Sequence, residues 1–212
     1  MDEPSEHSAT LSWHHYGERG VLLELPSLEQ VHAYNRAVRA SGLAAECVPG
    51  AQTLYVEWLD AAMSANELVR QITLLPTVPA EPEFIGIHII DVIYDGADLD
   101  DIADLAGLSV HEVVARHSAP TYTVAFLGFS RSFPYLAGLD PALIVSRLAS
   151  PRTLVTAGSV GMGAGFTGIY PAASPGGWRL LGHTEAMLFD ATLDPPSVLA
   201  TGDQVRFRPI EL

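Results

Sequence analysis

The sequence contains no lysine, because all 11 of its basic residues are arginines, and they stand against 25 acidic residues in a chain of 212. The formal net charge of −14 repels phosphate backbones, which argues against nucleic-acid binding. Without lysine, the chain has neither the lysine of a phosphate-binding loop nor a Schiff-base nucleophile. A bound nucleotide would need arginine, backbone N–H groups, a metal ion or residues of a partner subunit.

Cysteine and long apolar runs are equally scarce. Cys47 is the only cysteine, so no disulfide can form within the chain, and we expect a cytoplasmic protein. No apolar run approaches the roughly 18 residues of a membrane-spanning helix. The acidic N-terminal residues lack the basic start and apolar run of a signal peptide, so we expect no membrane association.

Residues 1–76 predict a small α+β domain. Strands are expected at residues 13–16 and 21–25, followed by a helix that Ser27 caps and that ends near Gly42. Strands at 45–48 and 53–58 precede a helix that a capping box at Ser64 opens. This β-β-α-β-β-α order predicts a ferredoxin-like-type domain with its helices on one face of the sheet.

A proline-rich linker is predicted at residues 77–83, because its prolines cannot donate backbone hydrogen bonds. Residues 84–212 predict a second domain that opens with a strand at 84–92 and helices at 98–106 and 109–117. Short strands follow at 122–129, 159–164, 167–170, 178–181, 186–189 and 204–208. Many short strands separated by Gly/Pro turns indicate a closed or nearly closed β-barrel.

Glycine is concentrated between positions 158 and 168, at a density that we expect neither a helix nor a central strand to accept. Residues 163–168 formally match the dinucleotide fingerprint G-x-G-x-x-G. That fingerprint requires a helix after it, whereas extended residues and turns follow here. We therefore interpret the segment as a β-hairpin or barrel corner whose glycines permit positive φ angles.

Few residues point to chemistry by themselves. His111 and Glu112 begin a zinc-protease motif, but Ala115 stands where the second histidine is required, so we expect no metal site. His117 is the strongest catalytic candidate, because it ends a polar helix immediately before a strand. A histidine at a helix C-terminus is also favoured by the helix dipole, so a purely structural role carries equal weight.

A series of short motifs resembles the allophanate hydrolase subunit 1 / KipI family in the same order along nearly the whole chain. The matching segments are Val48-Pro49-Gly50, Tyr94-Asp95-Gly96, His117, Tyr122, Gly128-Phe129, Pro151-Arg152, Gly158-Ser159-Val160, Thr167-Gly168-Ile169-Tyr170-Pro171, Ser174-Pro175-Gly176-Gly177-Trp178 and Gly202-Asp203. The family includes a subunit of bacterial 5-oxoprolinase. The resemblance implies a cyclophilin-like fold for the second domain.

The resemblance also implies a subunit of an ATP-dependent hydrolase that opens the lactam of 5-oxoproline to glutamate. It implies ATP with Mg²⁺ as cofactor, an allophanate hydrolase subunit 2 homologue as partner, a third 5-oxoprolinase subunit, and inactivity of the isolated chain. His117 is the expected catalytic residue. The expected substrate-binding side chains are Tyr94, Asp98, Thr167, Tyr170 and Ser174. The expected contributors of loop backbone are Gly158, Ser159, Gly165, Gly168, Gly176 and Gly177.

Two other functions remain open. A KipI-like inhibitor would bind a sensor histidine kinase through an exposed apolar surface, for which Phe129, Phe133 and Tyr135 are the candidates. A urea-carboxylase-like carboxyltransferase would need its biotin carrier on another polypeptide, because this chain has no lysine to be biotinylated.

The sequence also departs from the family pattern at five positions. These departures predict that the protein binds a different acid or has weak activity. The positions that depart are Arg131, Ser132, Phe166, His183 and Glu185.

Overall fold

The computed structural model describes residues 11–60, 62–77 and 86–211, and the chain divides into two compact units, residues 1–82 and 83–212. The predicted linker at 77–83 lies outside the described residues except for Thr77. In the described part of the chain, no helix is both long and apolar enough to cross a membrane.

The first unit is a four-stranded antiparallel sheet with two helices. Its elements are β1 (Ser12–His15), β2 (Gly20–Glu24), α1 (Leu28–Ser41), β3 (Ala44–Pro49), β4 (Thr53–Trp58) and α2 (Ala65–Thr73). The sheet order is β1-β2-β4-β3. The predicted β-β-α-β-β-α order is therefore confirmed, while the ferredoxin-like type stays a prediction.

Local signals set the ends of both helices in this unit. The Ser27 side chain accepts a hydrogen bond from the Gln30 N–H, and Gly42, at φ 72°, ends α1 in the left-handed region that glycine favours. Ser64 caps α2 in the same way, but only half of the predicted capping box forms. The side chain of Glu67 binds Arg70 at 2.7 Å instead of returning to the backbone of Ser64.

The second unit is built around a nearly closed barrel. Its elements are β5 (Ile87–Val92), α3 (Leu99–Ala106), α4 (Val110–Ser118), β6 (Tyr122–Leu127), β7 (Pro134–Ala137), a 3₁₀ turn (Pro141–Leu143), β8 (Arg152–Val155), β9 (Ser159–Gly163), β10 (Phe166–Ile169), β11 (Ser174–Gly176), β12 (Arg179–His183) and β13 (Gln204–Pro209).

Seven of these strands form one sheet in the order β12-β9-β10-β7-β6-β13-β5. The two end strands meet where Ile93 and His183 exchange two backbone hydrogen bonds of 2.9 Å, which almost closes the sheet on itself. Helices α3 and α4 cover the barrel, because Ile102 and Val113 share its hydrophobic core with Val92. The nearly closed barrel is confirmed, and its cyclophilin-like type stays a prediction.

Two predictions about the glycine-rich segment have different outcomes. The hairpin is confirmed, because β9 pairs with β10 through a turn at Ala164 and Gly165, with φ angles of 55° and 80°. The expectation that central strands exclude such glycines is wrong, because Gly161 and Gly163 lie in β9 and Gly168 lies in β10. Both strands have a neighbour on each side in the sheet.

Other strand predictions need correction. The strand expected at 186–189 is absent, and only Phe189 makes an isolated bridge, to Ser197. Strands β7, β8 and β11 were not predicted. Each has only three or four residues and contains or adjoins proline or glycine, so its alternation is too short to recognise.

Candidate functional site

A cleft lined mainly by aromatic rings lies in the second unit beside the glycine-rich strands. Its volume is about 90 Å³. We call it the aromatic cleft. It is lined by Phe129, Phe133, Tyr135, Arg147, Tyr170, Gly176, Gly177 and Trp178. Three residues predicted for the site, Tyr170, Gly176 and Gly177, therefore lie together in one cleft.

The ring of Phe133 lies at the centre of the cleft wall. It packs edge-to-face against Phe129, Tyr135, Tyr170 and Trp178, with ring centroids 5.0–5.5 Å apart. Such contacts fix the rings relative to one another. Phe133 is only 2% exposed, whereas Phe129 is 63% exposed. The predicted exposed surface of Phe129, Phe133 and Tyr135 is thus corrected, since Phe133 belongs to the interior.

Glycines make this ring packing possible. A Cβ atom at Gly176 would overlap the hydroxyl group of Tyr170, and one at Gly163 would lie 2.7 Å from Cδ1 of Trp178. At Gly168, a Cβ atom would lie 2.5 Å from the Pro134 carbonyl oxygen and 3.2 Å from the rings of Phe133 and Trp178. These glycines are therefore needed for space against aromatic rings, and not only for turns.

Arg147 brings a positive charge to the cleft. Its chain neighbours are both held: the Ser146 carbonyl accepts a hydrogen bond from Arg179 at 2.8 Å, and the Leu148 N–H donates to the Gly177 carbonyl at 3.1 Å. The Arg147 side chain is exposed and has no hydrogen bond or ion pair among the described residues. Burial raises the pKa of Tyr170, and the charge of Arg147 opposes that rise.

A second arginine nearby is neutralised. Arg152 binds Asp98 Oδ1 at 2.6 Å, and the Leu180 N–H donates to Asp98 Oδ2 at 2.7 Å. Asp98 is 3% exposed and stands at the N-cap position of α3 without a side-chain capping bond. Both oxygens of this predicted substrate-binding residue therefore have partners within the chain, and its contact with substrate stays a prediction.

Tyr94, His117 and Thr167 form a buried hydrogen-bonded chain. Nδ1 of His117 lies 2.8 Å from Tyr94 Oη, and Nε2 lies 2.8 Å from Thr167 Oγ1. The Thr167 hydroxyl donates to the Gly161 carbonyl at 3.0 Å, so it must accept from the ring. The ring of His117 therefore carries a proton on Nε2. It is 0% exposed, and burial lowers its pKa to about 3.

This buried chain faces away from the aromatic cleft. Thr167 and Gly168 are neighbours on β10, and successive residues of a strand point to opposite faces of the sheet. Thr167 faces His117, whereas Gly168 faces Phe133 and Trp178. Proton transfer by His117 stays a prediction, and its burial favours the structural role that the sequence left open.

The remaining predicted residues have local partners, with one exception. Gly158 donates to the Tyr170 carbonyl at 2.8 Å, Ser159 Oγ lies 3.1 Å from Thr156 Oγ1, and Gly165 forms the hairpin turn. None of these three lines the cleft. The exception is Ser174, which was predicted to bind substrate. Its hydroxyl group is buried and has no hydrogen-bond partner among the described residues, so it can still form a hydrogen bond.

Arg147 was not predicted from the sequence, because a surface arginine in an irregular segment matches no motif. The structure also describes a larger groove of about 300 Å³ in the first unit, beside α1. The described residues that line this groove include Glu29 but no cationic side chain. Across the described ranges, no group of three or more His, Cys, Asp or Glu residues is arranged to hold a metal ion.

Comparison with known proteins agrees with this architecture. Residues 11–199 match the family model for the carboxyltransferase domain, subdomain C and D. The chain is 41% identical over 200 residues to the 5-oxoprolinase B subunit of Haemophilus influenzae, covering 90% of this chain and 93% of that protein. It is 40% identical over 204 residues to the 5-oxoprolinase B subunit of Escherichia coli O157:H7, covering 91% and 93%.

A solved structure extends the comparison. The crystal structure of TTHA0988 is 36% identical in sequence and superposes with a TM-score of 0.75. The match covers 92% of this chain but 40% of that protein, so this chain corresponds to a part of TTHA0988. With most of its length matched both by the family model and by two relatives, the chain belongs to the carboxyltransferase domain, subdomain C and D, family.

Proposed function

We propose that this chain is the B subunit of a 5-oxoprolinase, which opens the lactam of 5-oxoproline to glutamate. The observation that carries the proposal is about 40% identity to two proteins named as B subunits of 5-oxoprolinase, over nine-tenths of both chains. The aromatic cleft supports the proposal, because a small cavity with aromatic walls and one arginine can bind the ring and the carboxylate of a small cyclic acid. A subunit designation implies further subunits, and we propose an allophanate hydrolase subunit 2 homologue and a third subunit as partners.

ATP with Mg²⁺ does not fit the described residues of this chain alone. There is no lysine, no cluster of carboxylates suited to a metal ion, and a net charge of −14 that repels polyphosphate. The cleft volume of about 90 Å³ is below the roughly 300–1,000 Å³ of ordinary ligand pockets, and a nucleotide needs more space than that cleft offers. We therefore propose that the partner subunits supply the residues that bind ATP.

The predicted site residues take two kinds of role in this proposal. Tyr170, Gly176 and Gly177 contribute the surface and backbone of the cleft that meets the substrate, whereas contact between Ser174 and the substrate stays a prediction. Tyr94, His117, Thr167 and Asp98 hold the strands that carry the cleft, because their polar atoms are already bound within the chain.

The test is reconstitution. The chain is co-expressed with the products of neighbouring subunit genes, and glutamate formation from 5-oxoproline is followed with and without ATP. We expect ATP-dependent glutamate formation by the complete set and none by the isolated chain. If the complete set yields no glutamate while a reference 5-oxoprolinase assembled in the same way does, the proposal fails.

A second candidate function is carboxyl transfer, which the family description favours by its name. In that case a biotin carrier on another polypeptide would deliver the carboxyl group to the cleft. Carboxylation of a small amide from carboxybiotin, together with no ATP-dependent glutamate formation, would establish this function in place of lactam hydrolysis.

A further inference from the structure

We propose that Arg147 binds the carboxylate of the small cyclic acid whose ring lies against the aromatic walls of the cleft. The identity of the acid as 5-oxoproline depends on the proposed function, whereas the carboxylate site depends on the cleft alone. Arg147 has no role in any motif of the sequence, and it is the cationic member of the cleft lining.

The first argument concerns charge. The other arginines of the second unit mostly have an internal partner: Arg116 with Asp140, Arg152 with Asp98, Arg179 with Asp101, Arg206 with Thr121 and Arg208 with Asp91. Within the described residues of this unit, Arg131 and Arg147 have no hydrogen bond or ion pair. Arg131 does not line the cleft, so the unneutralised positive charge of the cleft comes from Arg147.

The second argument concerns position. The backbone on both sides of Arg147 is held, through Ser146 to Arg179 and through Leu148 to Gly177. The base of the side chain is thereby fixed at the rim of the cleft, which lowers the ordering that a ligand must impose. A guanidinium group can then bind a carboxylate through two parallel hydrogen bonds, the geometry in which arginine is most selective.

The third argument concerns size and surface. Beyond Arg147, the side chains of the lining are aromatic, and the half-buried Gly177 leaves part of its backbone open to a bound molecule. The cleft volume of about 90 Å³ is below the roughly 300–1,000 Å³ of pockets for drug-sized ligands, which restricts the occupant to a small molecule. Elsewhere the acidic surface repels anions, so a carboxylate gains most where a cation is free.

The kinetic test uses the assembled enzyme with Arg147→Gln, Arg147→Lys and the control Arg206→Gln. The control removes the same charge from β13, outside the cleft. We expect Arg147→Gln to raise KM for 5-oxoproline about tenfold or more and to leave kcat within about threefold. Arg147→Lys should be intermediate, because it keeps the charge but loses the paired hydrogen bonds.

A ligand pair separates carboxylate binding from a structural effect. 2-Pyrrolidinone has the lactam ring of 5-oxoproline but no carboxylate. The wild-type enzyme should prefer 5-oxoproline over 2-pyrrolidinone strongly, and Arg147→Gln should lose most of that preference while binding 2-pyrrolidinone as before. If Arg147→Gln and Arg206→Gln have the same KM and the same preference, the proposal is overturned.

A binding experiment distinguishes failure of this proposal from failure of the proposed function. The isolated chain is titrated with 5-oxoproline and with 2-pyrrolidinone while the indole N–H signal of Trp178 is followed by NMR. If the assembled complex forms no glutamate, the proposed function fails, and this titration alone decides the carboxylate site. A Trp178 shift with 5-oxoproline that Arg147→Gln abolishes supports the site, and no shift in the wild-type chain refutes it.

Discussion

Asp98 binds Arg152 at 2.6 Å and also accepts a hydrogen bond from the Leu180 N–H at 2.7 Å. One carboxylate therefore ties the start of α3 to strands β8 and β12. A typical aspartate at this position would instead cap the helix. The tie matters for the cleft because it neutralises Arg152 and leaves Arg147 as the free charge there.

Asp98→Asn should lower the free energy of unfolding by about 2 kcal/mol, because it removes the charge from a buried carboxylate and leaves Arg152 partly buried and unpaired. Urea denaturation measures the change. Asp101→Asn is the matched control, since Asp101 is 67% exposed and lies 3.3 Å from Arg179, and it should cost less than about 0.5 kcal/mol. Equal losses for the two variants would contradict the role of Asp98.

His117 should make stability depend on pH. Its pKa in the folded state is about 3, below the ordinary value of 6.5. Below pH 6.5 the histidine therefore binds a proton in the unfolded chain but not in the folded chain. The contribution is therefore fully present above pH 6.5 and is lost as the pH falls, by up to about 1.4 kcal/mol per pH unit.

The comparison is between wild type, His117→Gln and His111→Gln, each unfolded with urea at pH 7.5 and at pH 5.5. His117→Gln should lose less stability on acidification than wild type, by about 1.4 kcal/mol. His111, exposed on the same helix, is the control, and its variant should keep the wild-type dependence. Identical pH dependence in all three proteins would rule out the neutral buried ring.

Gly176→Ala should destabilise the second unit by about 1–3 kcal/mol, because the new methyl group would overlap the hydroxyl of Tyr170. The neighbouring Gly177→Ala is the control, since the three atoms nearest to its Cβ would all belong to Pro151, at 3.6 Å or more. Thermal unfolding should show a lower midpoint for the first variant alone. Adding Tyr170→Phe to Gly176→Ala should recover part of the loss, and no recovery would mean that another contact is responsible.

Ala164→Asn should stabilise the chain by about 0.5–1 kcal/mol, since Ala164 has a φ of 55° and asparagine accepts the left-handed region more readily. The expected rise in the thermal midpoint is about 2–4 °C for each kcal/mol. Ala172→Asn, at an exposed alanine outside the positive-φ positions, should leave the midpoint unchanged. A rise in both variants, or in neither, would contradict the turn geometry.

The isolated chain should bind ATP weakly or undetectably, and a subunit 2 homologue should restore binding. The reasons are the missing lysine, the net charge of −14 and the small volume of the cleft. Isothermal titration of the chain alone and of the chain with its partner measures both cases. Micromolar affinity for the chain alone would place a nucleotide site within it.

Local signals explain what could be predicted from the sequence. The helices α1, α2 and α4 begin after Ser27, Ser64 and Ser109, because a capping hydrogen bond involves only residues three apart. The β9–β10 hairpin followed from glycine at its turn. In these cases the residues that determine the structure are neighbours in the chain.

Contacts between distant residues explain what could not be predicted. Gly163 and Gly168 looked incompatible with central strands, because the groups that fill their space, the Trp178 ring and the Pro134 carbonyl, come from other segments of the chain. Similarly, His117 looked accessible at a helix end until Thr167 and Tyr94 enclosed both ring nitrogens. The position of Arg147 at the cleft depends on the hydrogen bond between Arg179 and the Ser146 carbonyl, which joins residues 33 apart in the chain.

Strand β13 lies between β5 and β6, pairing parallel with β5 from Gln204 to Pro209 and antiparallel with β6. During synthesis, both neighbours leave the ribosome long before the strand that separates them. Until Gln204–Pro209 emerges, β5 and β6 have open edges, which can pair with other nascent chains. A message truncated just before Gln204 should therefore yield aggregated polypeptide rather than a smaller folded barrel.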